Sequence, residues 1–139
     1  MTGASVLPPP RIADVQGGLR HVFVRDMVLT GSIGVHPHER ETRQRIRLNL
    51  DLAVREGTEP MDDELASVVC YEDIVRKVRG VVGAGHINLV ETLAERVAEV
   101  CLRDPRVCSV RVRAEKLDVF PDVGSVGVEI ERSHVERSH

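Results

Sequence analysis

From Arg45 to Arg55 the chain alternates. Ile46, Leu48, Leu50, Leu52 and Val54 are apolar, and Arg45, Arg47, Asn49, Asp51 and Arg55 between them are polar. A period of two over about ten residues predicts a strand with one dry and one wet face. Upstream, residues 21 to about 33 carry Val22, Val24, Met27, Val28 and Leu29 and read as a partner strand, loosened at its end by Gly31 and Gly34. Residues 34–42 then form a polar connection. Over residues 72–83 the period changes. Ile74, Val75, Val78, Val81 and Val82 fall on one side of a helix, which Gly83 and Gly85 end. A second helix is predicted from Leu89 to about Arg103. Its buried stripe is Leu89, Val90, Leu93, Ala94, Val97, Val100 and Cys101, and Asp104 and Pro105 stop it. Alternation returns with Cys108, Val110, Val112 and Ala114 on one face and Arg111 and Arg113 on the other. After a loop over 117–124, Val126, Val128 and Ile130 alternate with Gly127, Glu129 and Glu131.

The order β-β-α-α-β-β predicts an α+β domain, an antiparallel four-stranded sheet with both helices on one face. The opposite face carries Arg45, Arg47, Asp51, Arg111, Arg113, Glu129 and Glu131, so it stays wet or is paired across strands. Such a sheet has two long edges, a hazard for a monomer. Joining the sheets of several copies removes them, so homo-oligomerisation is expected.

Composition narrows the function classes. The chain has 139 residues, 42% hydrophobic and 29% charged, with a formal net charge of −3, which fits one domain. Its only aromatics are Phe23, Tyr71 and Phe120. A single-stranded nucleic-acid binder wants stacking platforms and positive charge, and both are missing. No apolar run approaches the roughly 20 residues of a membrane span. Cys70, Cys101 and Cys108 are odd in number and form no C-x-x-C, so they read as reduced thiols of a cytoplasmic protein. Residues 1–19, with Pro8, Pro9, Pro10, Gly17 and Gly18, read as a flexible leader. Residues 20–132 read as the domain and residues 133–139 as a tail, in which Glu136 to His139 repeats Glu131 to His134.

Four segments then carry a resemblance. They are Ile33 to Glu39 leading into Gln44, Arg45 and Ile46; Val69 to Ile74 around Tyr71; Asn88 to Arg96 around Glu91; and Lys116 followed by Ser125 to Ile130. In this order they resemble the signatures of the dihydroneopterin aldolase family over roughly residues 20–132. The resemblance implies the tunnelling fold, in which sheets from neighbouring subunits close a barrel in a tetramer or octamer, with pterin sites between subunits. It also implies a lyase that needs neither metal nor Schiff base. Such an enzyme cleaves 7,8-dihydroneopterin by a retro-aldol step to 6-hydroxymethyl-7,8-dihydropterin and glycolaldehyde in folate synthesis. Lys116 would move the protons, Tyr71 would work beside it, and Glu39 would hold the network near the reacting side chain. Glu91 would anchor the pterin, with a backbone contact at Val90. Two departures stand out. The lysine is followed by Leu117 where many members have proline, and Ala114 occupies a register where some members place the lysine.

Each residue also has a plainer reading. Asn88 and Glu91 are spaced as a capping box. Tyr71, Glu39 and Lys116 could be ordinary surface groups. His36, His38 and His86 could suggest zinc, although an H-x-H pair is common by chance. Arg40, Arg43, Arg45 and Arg47 read as a solvated or paired stripe rather than an RNA site. The competing functions are a 2′-epimerase of dihydroneopterin or its phosphate, and a non-catalytic pterin- or purine-binding module.

Overall fold

The computed structural model describes residue 13 and residues 18–57 and 60–134. Most of the expected leader, and residues 135–139 of the expected tail, lie outside the described residues. Eight elements follow in order. They are β1 (Leu19–Gly31), α1 (Pro37–Glu41), β2 (Gln44–Arg55), a 3-10 turn (Leu65–Ser67), α2 (Tyr71–Gly83), α3 (Val90–Cys101), β3 (Val107–Lys116) and β4 (Val126–Ser133). The strands form one antiparallel sheet in the order β1-β2-β3-β4. The fold is the α+β arrangement expected. Within the polar connection of residues 34–42, Pro37 opens a five-residue helix, as its fixed φ suits a first helical position.

The core is the dry face of the sheet under α2 and α3. Ile46, Leu48, Leu50, Leu52, Val110, Val112 and Ala114 meet Ile74, Val78, Leu93, Ala94 and Val97, all of them buried. Two β-bulges interrupt the alternation. In β1 the pairing steps from Val24–Leu50 to Met27–Leu48, so Arg25 and Asp26 hold one residue too many. Asp26 takes up the excess at φ 53°, and its amide donates to Asn49 Oδ1 at 2.8 Å. Beyond the bulge Met27 and Leu29 return to the core side, while Phe23 and Val28 stand exposed on the polar face. In β3 the pairing steps from Ser109–Ala53 to Val107–Val54. Val107 therefore fills the core position expected of Cys108, which is left half-buried. Leu89 departs from the expected buried stripe of the second helix. It is the residue before α3 and stays largely exposed.

The polar face is paired across strands, as expected of a face of mixed charge. Arg47 donates twice to Glu115, each bond 2.9 Å, and Arg111 donates to Glu131 at 3.0 Å. His21 Nε2 lies 2.7 Å from Asp51 Oδ1. Glu115 is buried, and Ser125 Oγ also donates to it at 2.7 Å. Arg47 above all, then Ser125 and Arg113, outweigh burial and bring its carboxyl from 4.5 down to about 2. An unfolded chain therefore takes up a proton here before the folded one does as pH falls. The stability from this group is complete above pH 4.5 and is lost between 4.5 and about 2. Its size is on the order of 3 kcal/mol. Acid titration followed by urea unfolding should show that loss in the native chain and a shallower slope in Glu115→Gln.

Candidate active site

The parallel bridge between Ile33 and Ile87 ties the end of the first strand segment to the start of α3. Gly34 N–H donates to Ile87 O at 2.9 Å, and Ile87 N–H donates to Ser32 O at 3.1 Å. This junction fixes where the chain turns into α1, and α1 carries Glu39. Gly34 sits at φ 130°, a conformation L side chains rarely adopt, and a Cβ there would run into the Glu39 carboxylate. Glycine is thus the residue that lets a carboxylate lie against the backbone. In Gly34→Ala the carboxylate must leave its place. The Glu39 carboxyl, at about 2 in the native chain, should then titrate nearer its ordinary 4.5 in carbon-13 NMR, with the circular dichroism of the fold retained.

Glu39 is only 6% exposed and has three partners. Lys116 Nζ donates to Oε2 at 2.8 Å, Gln44 Nε2 donates to the same oxygen at 2.9 Å, and the His36 amide lies 3.4 Å from Oε1. Gln44 also donates to Ile33 O at 2.8 Å, so it braces the junction and the carboxylate together. Burial pulls the Glu39 carboxyl upward, but the hydrogen bonds from Lys116, Gln44 and the His36 amide, with the Lys116 charge, bring it from 4.5 down to about 2. Glu39 is therefore a carboxylate at every physiological pH.

Lys116 is the last residue of β3, opposite Ile46 of β2 and Val126 of β4. Two residues earlier Ala114 points into the core, so the same strand face changes from apolar to polar where it leaves the helices. The Lys116 side chain is 16% exposed, and its charged neighbour is the carboxylate rather than another cation. The segment after Lys116 is held against the start of β2. Leu117 N–H donates to Arg45 O at 3.1 Å, and Asp118 accepts from the Arg45 amide at 3.0 Å and its guanidinium at 2.7 Å.

Glu91 is the second residue of α3. The capping-box reading does not hold. Leu89 is the residue before the helix, no side chain caps it, and Asn88 Oδ1 instead accepts from Arg40 at 2.8 Å. Glu91, Val90, Lys116, Glu39 and Gln44 line one cleft of about 620 Å³, with Phe120 in its wall. Tyr71 is absent from that cleft. It opens α2, is 68% exposed, and lines a second concavity with Met61, Leu65 and Cys70. The three histidines weighed for zinc do not converge. His36 and His38 stack on each other with centroids 5.7 Å apart, and His86 bonds to Ser32 and Gly34. Sequence reasoning missed the bracing roles of Gln44, Gly34, Ser32 and His86. Gly34 and Gln44 stood inside a recognised motif, whereas Ser32 and His86 did not.

No helix among the described residues is long and apolar enough to cross a membrane. The family model for dihydroneopterin aldolase (FolB) matches residues 22–131. A dihydroneopterin aldolase of Streptomyces coelicolor is 38% identical over 116 residues, covering 82% of this chain and 98% of that protein. The crystal structure of a dihydroneopterin aldolase from Burkholderia thailendensis bound to guanine superposes with a TM-score of 0.74 at 36% identity, covering 84% of this chain and 92% of that one. The Escherichia coli enzyme in complex with neopterin gives 0.76 at 29% identity, covering 82% and 99%. The four-stranded sheet, the two helices on its dry face and these relatives agree, and the chain belongs to the dihydroneopterin aldolase family.

Proposed function

We propose that this chain cleaves 7,8-dihydroneopterin by a retro-aldol reaction, with Lys116, Glu39 and Tyr71 as its catalytic groups and Glu91 as its pterin anchor. The observation that carries the reading is the buried Glu39–Lys116 pair, in one cleft with Glu91 at the start of α3. Guanine and neopterin, bound in the two related structures, share a 2-amino-4-oxo pyrimidine edge. A carboxylate accepts two parallel N–H bonds from that edge. The N-terminal turn of α3 favours the negative charge that does so.

The substrate brings its own electron sink. The side-chain bond to be broken lies beside the ring C=N. A base takes the proton of the adjacent hydroxyl, the C–C bond breaks, and its electron pair moves into the ring as the imine nitrogen is protonated. The deprotonated hydroxyl becomes the aldehyde of glycolaldehyde, which leaves. The remaining enol is protonated on carbon while the ring nitrogen gives its proton up, which restores the C=N and gives 6-hydroxymethyl-7,8-dihydropterin. Lys116 supplies and takes up protons in these steps, with Glu39 as its fixed counter-ion. Neither a metal nor a covalent lysine adduct is needed.

In our reading Tyr71 serves the cleft of a neighbouring copy. Its separation from Lys116 within one chain supports this, as does the position of β1 and β4 at the two open edges of the sheet. Edge-to-edge pairing into a ring gives a tetramer or octamer with the paired polar face lining a wet channel. The free thiols suit the cytoplasm. Incubation with 7,8-dihydroneopterin should release glycolaldehyde in equal amount to the hydroxymethyl pterin. No release at high enzyme concentration refutes the aldolase. Accumulation of the 2′-epimer without cleavage would make the chain an epimerase acting with the same residues.

A further inference from the structure

We propose that His86, together with Ser32, is a positioning residue for the reaction, holding Glu39 in register with Lys116 by locking the bridged segment Ser32 to Gly34. The inference rests on the reading of Glu39 and Lys116 given above, and extends it to residues outside the cleft wall.

Three backbone groups of this bridged segment are tied. Ser32 O accepts from Ile87 N–H, Ile33 O from Gln44 Nε2, and Gly34 N–H donates to Ile87 O. The remaining carbonyl, Gly34 O, lies 2.7 Å from His86 Nε2. A carbonyl can only accept, so Nε2 carries the hydrogen. The other ring nitrogen, Nδ1, lies 2.6 Å from Ser32 Oγ and accepts from that hydroxyl in the neutral ring. His86 thus spans both ends of the three-residue bridged segment. The residue it grips at one end, Gly34, is the one whose missing side chain makes room for the Glu39 carboxylate. Without the imidazole, Gly34 O loses its partner, and the plane of the peptide that follows Gly34 is free to rotate. That peptide leads directly into Val35, His36 and α1. The His36 amide and Glu39 both move with it. His86 itself is half-buried and touches neither the cleft nor Lys116, so its influence passes through Glu39.

Two variants separate the geometry from mere packing. His86→Phe keeps a flat ring and removes both nitrogens. His86→Gln keeps one donor and one acceptor. In His86→Phe, kcat should fall roughly 30-fold with KM changed less than about threefold, the pattern of a displaced reacting group. His86→Gln should recover most of that loss. In a Glu39→Gln background, His86→Phe should cost no more than about twofold further, because the group it positions is already gone. A readout free of turnover is the Glu39 side chain in carbon-13 NMR. Its carboxyl, at about 2 in the native chain, should titrate nearer its ordinary 4.5 in His86→Phe. Full kcat in His86→Phe, an equal loss in the Glu39→Gln background, or an unmoved Glu39 titration would each overturn the proposal. A native protein that releases no glycolaldehyde would instead overturn the aldolase reading, and the Glu39 titration would still decide the role of His86.

Discussion

Lys116→Ala is expected to lower kcat by about three orders of magnitude, the upper range for removing a positioned proton-transfer group, while pterin affinity changes less than about threefold. The split follows from the geometry. In the proposed scheme Lys116 acts with Glu39, which it reaches at 2.8 Å, whereas the pterin is held by Glu91 on α3. Stopped-flow turnover and equilibrium titration with neopterin measure the two effects separately. Equal losses in both would mean that Lys116 binds substrate and does not act on it. The chain supplies its own control. The only other lysine, Lys77, sits on α2 and pairs with Asp73 at 3.0 Å. Lys77→Ala should leave kcat unchanged. If Tyr71 acts in the neighbour's cleft, mixing Lys116→Ala with Tyr71→Phe before assembly should restore activity, up to roughly a quarter of sites by random combination. No restoration would place both groups in the service of one chain's cleft.

Glu91→Ala is expected to weaken pterin binding by about 100-fold or more. Two parallel hydrogen bonds to a carboxylate contribute on the order of 3 kcal/mol together, which is roughly that factor in Kd. The cost to the fold should be small, because Glu91 is exposed and caps nothing. Calorimetric titration with neopterin checks the affinity, and a thermal melt checks that α3 persists. Glu91→Gln should fall between the two, since an amide keeps one acceptor but turns a donor towards a ring donor. A Glu91→Ala protein that binds pterin normally would remove the anchor from the scheme.

The sheet was legible because β2 alternates from Arg45 to Leu52, and its register then places both partner strands. α2 was legible because its valines recur at helical spacing. What escaped were breaks of period. At Asp26 and in β3 one residue too many reverses the parity, so counting by two misassigns Cys108 and hides Val107. The site residues Lys116, Glu39 and Glu91 were legible only through resemblance, since each alone passes for a surface charge. The bracing of the site was not legible at all. Gln44 and His86 donate to backbone carbonyls and Ser32 to the His86 ring, all across gaps in sequence, and such bonds leave no periodic mark. The short α1 escaped because five residues are too few to show one.

The separation of Tyr71 from the Glu39–Lys116 cleft has a consequence for dosage. If the two must come from different copies, a single folded chain holds every residue of the site and completes none. Specific activity then becomes a function of enzyme concentration. Diluted below the dissociation constant of the assembly, the protein should keep its helical spectrum and fall silent, and it should recover on reconcentration. An inhibitor that slips between neighbouring sheets could therefore stop the reaction without resembling a pterin.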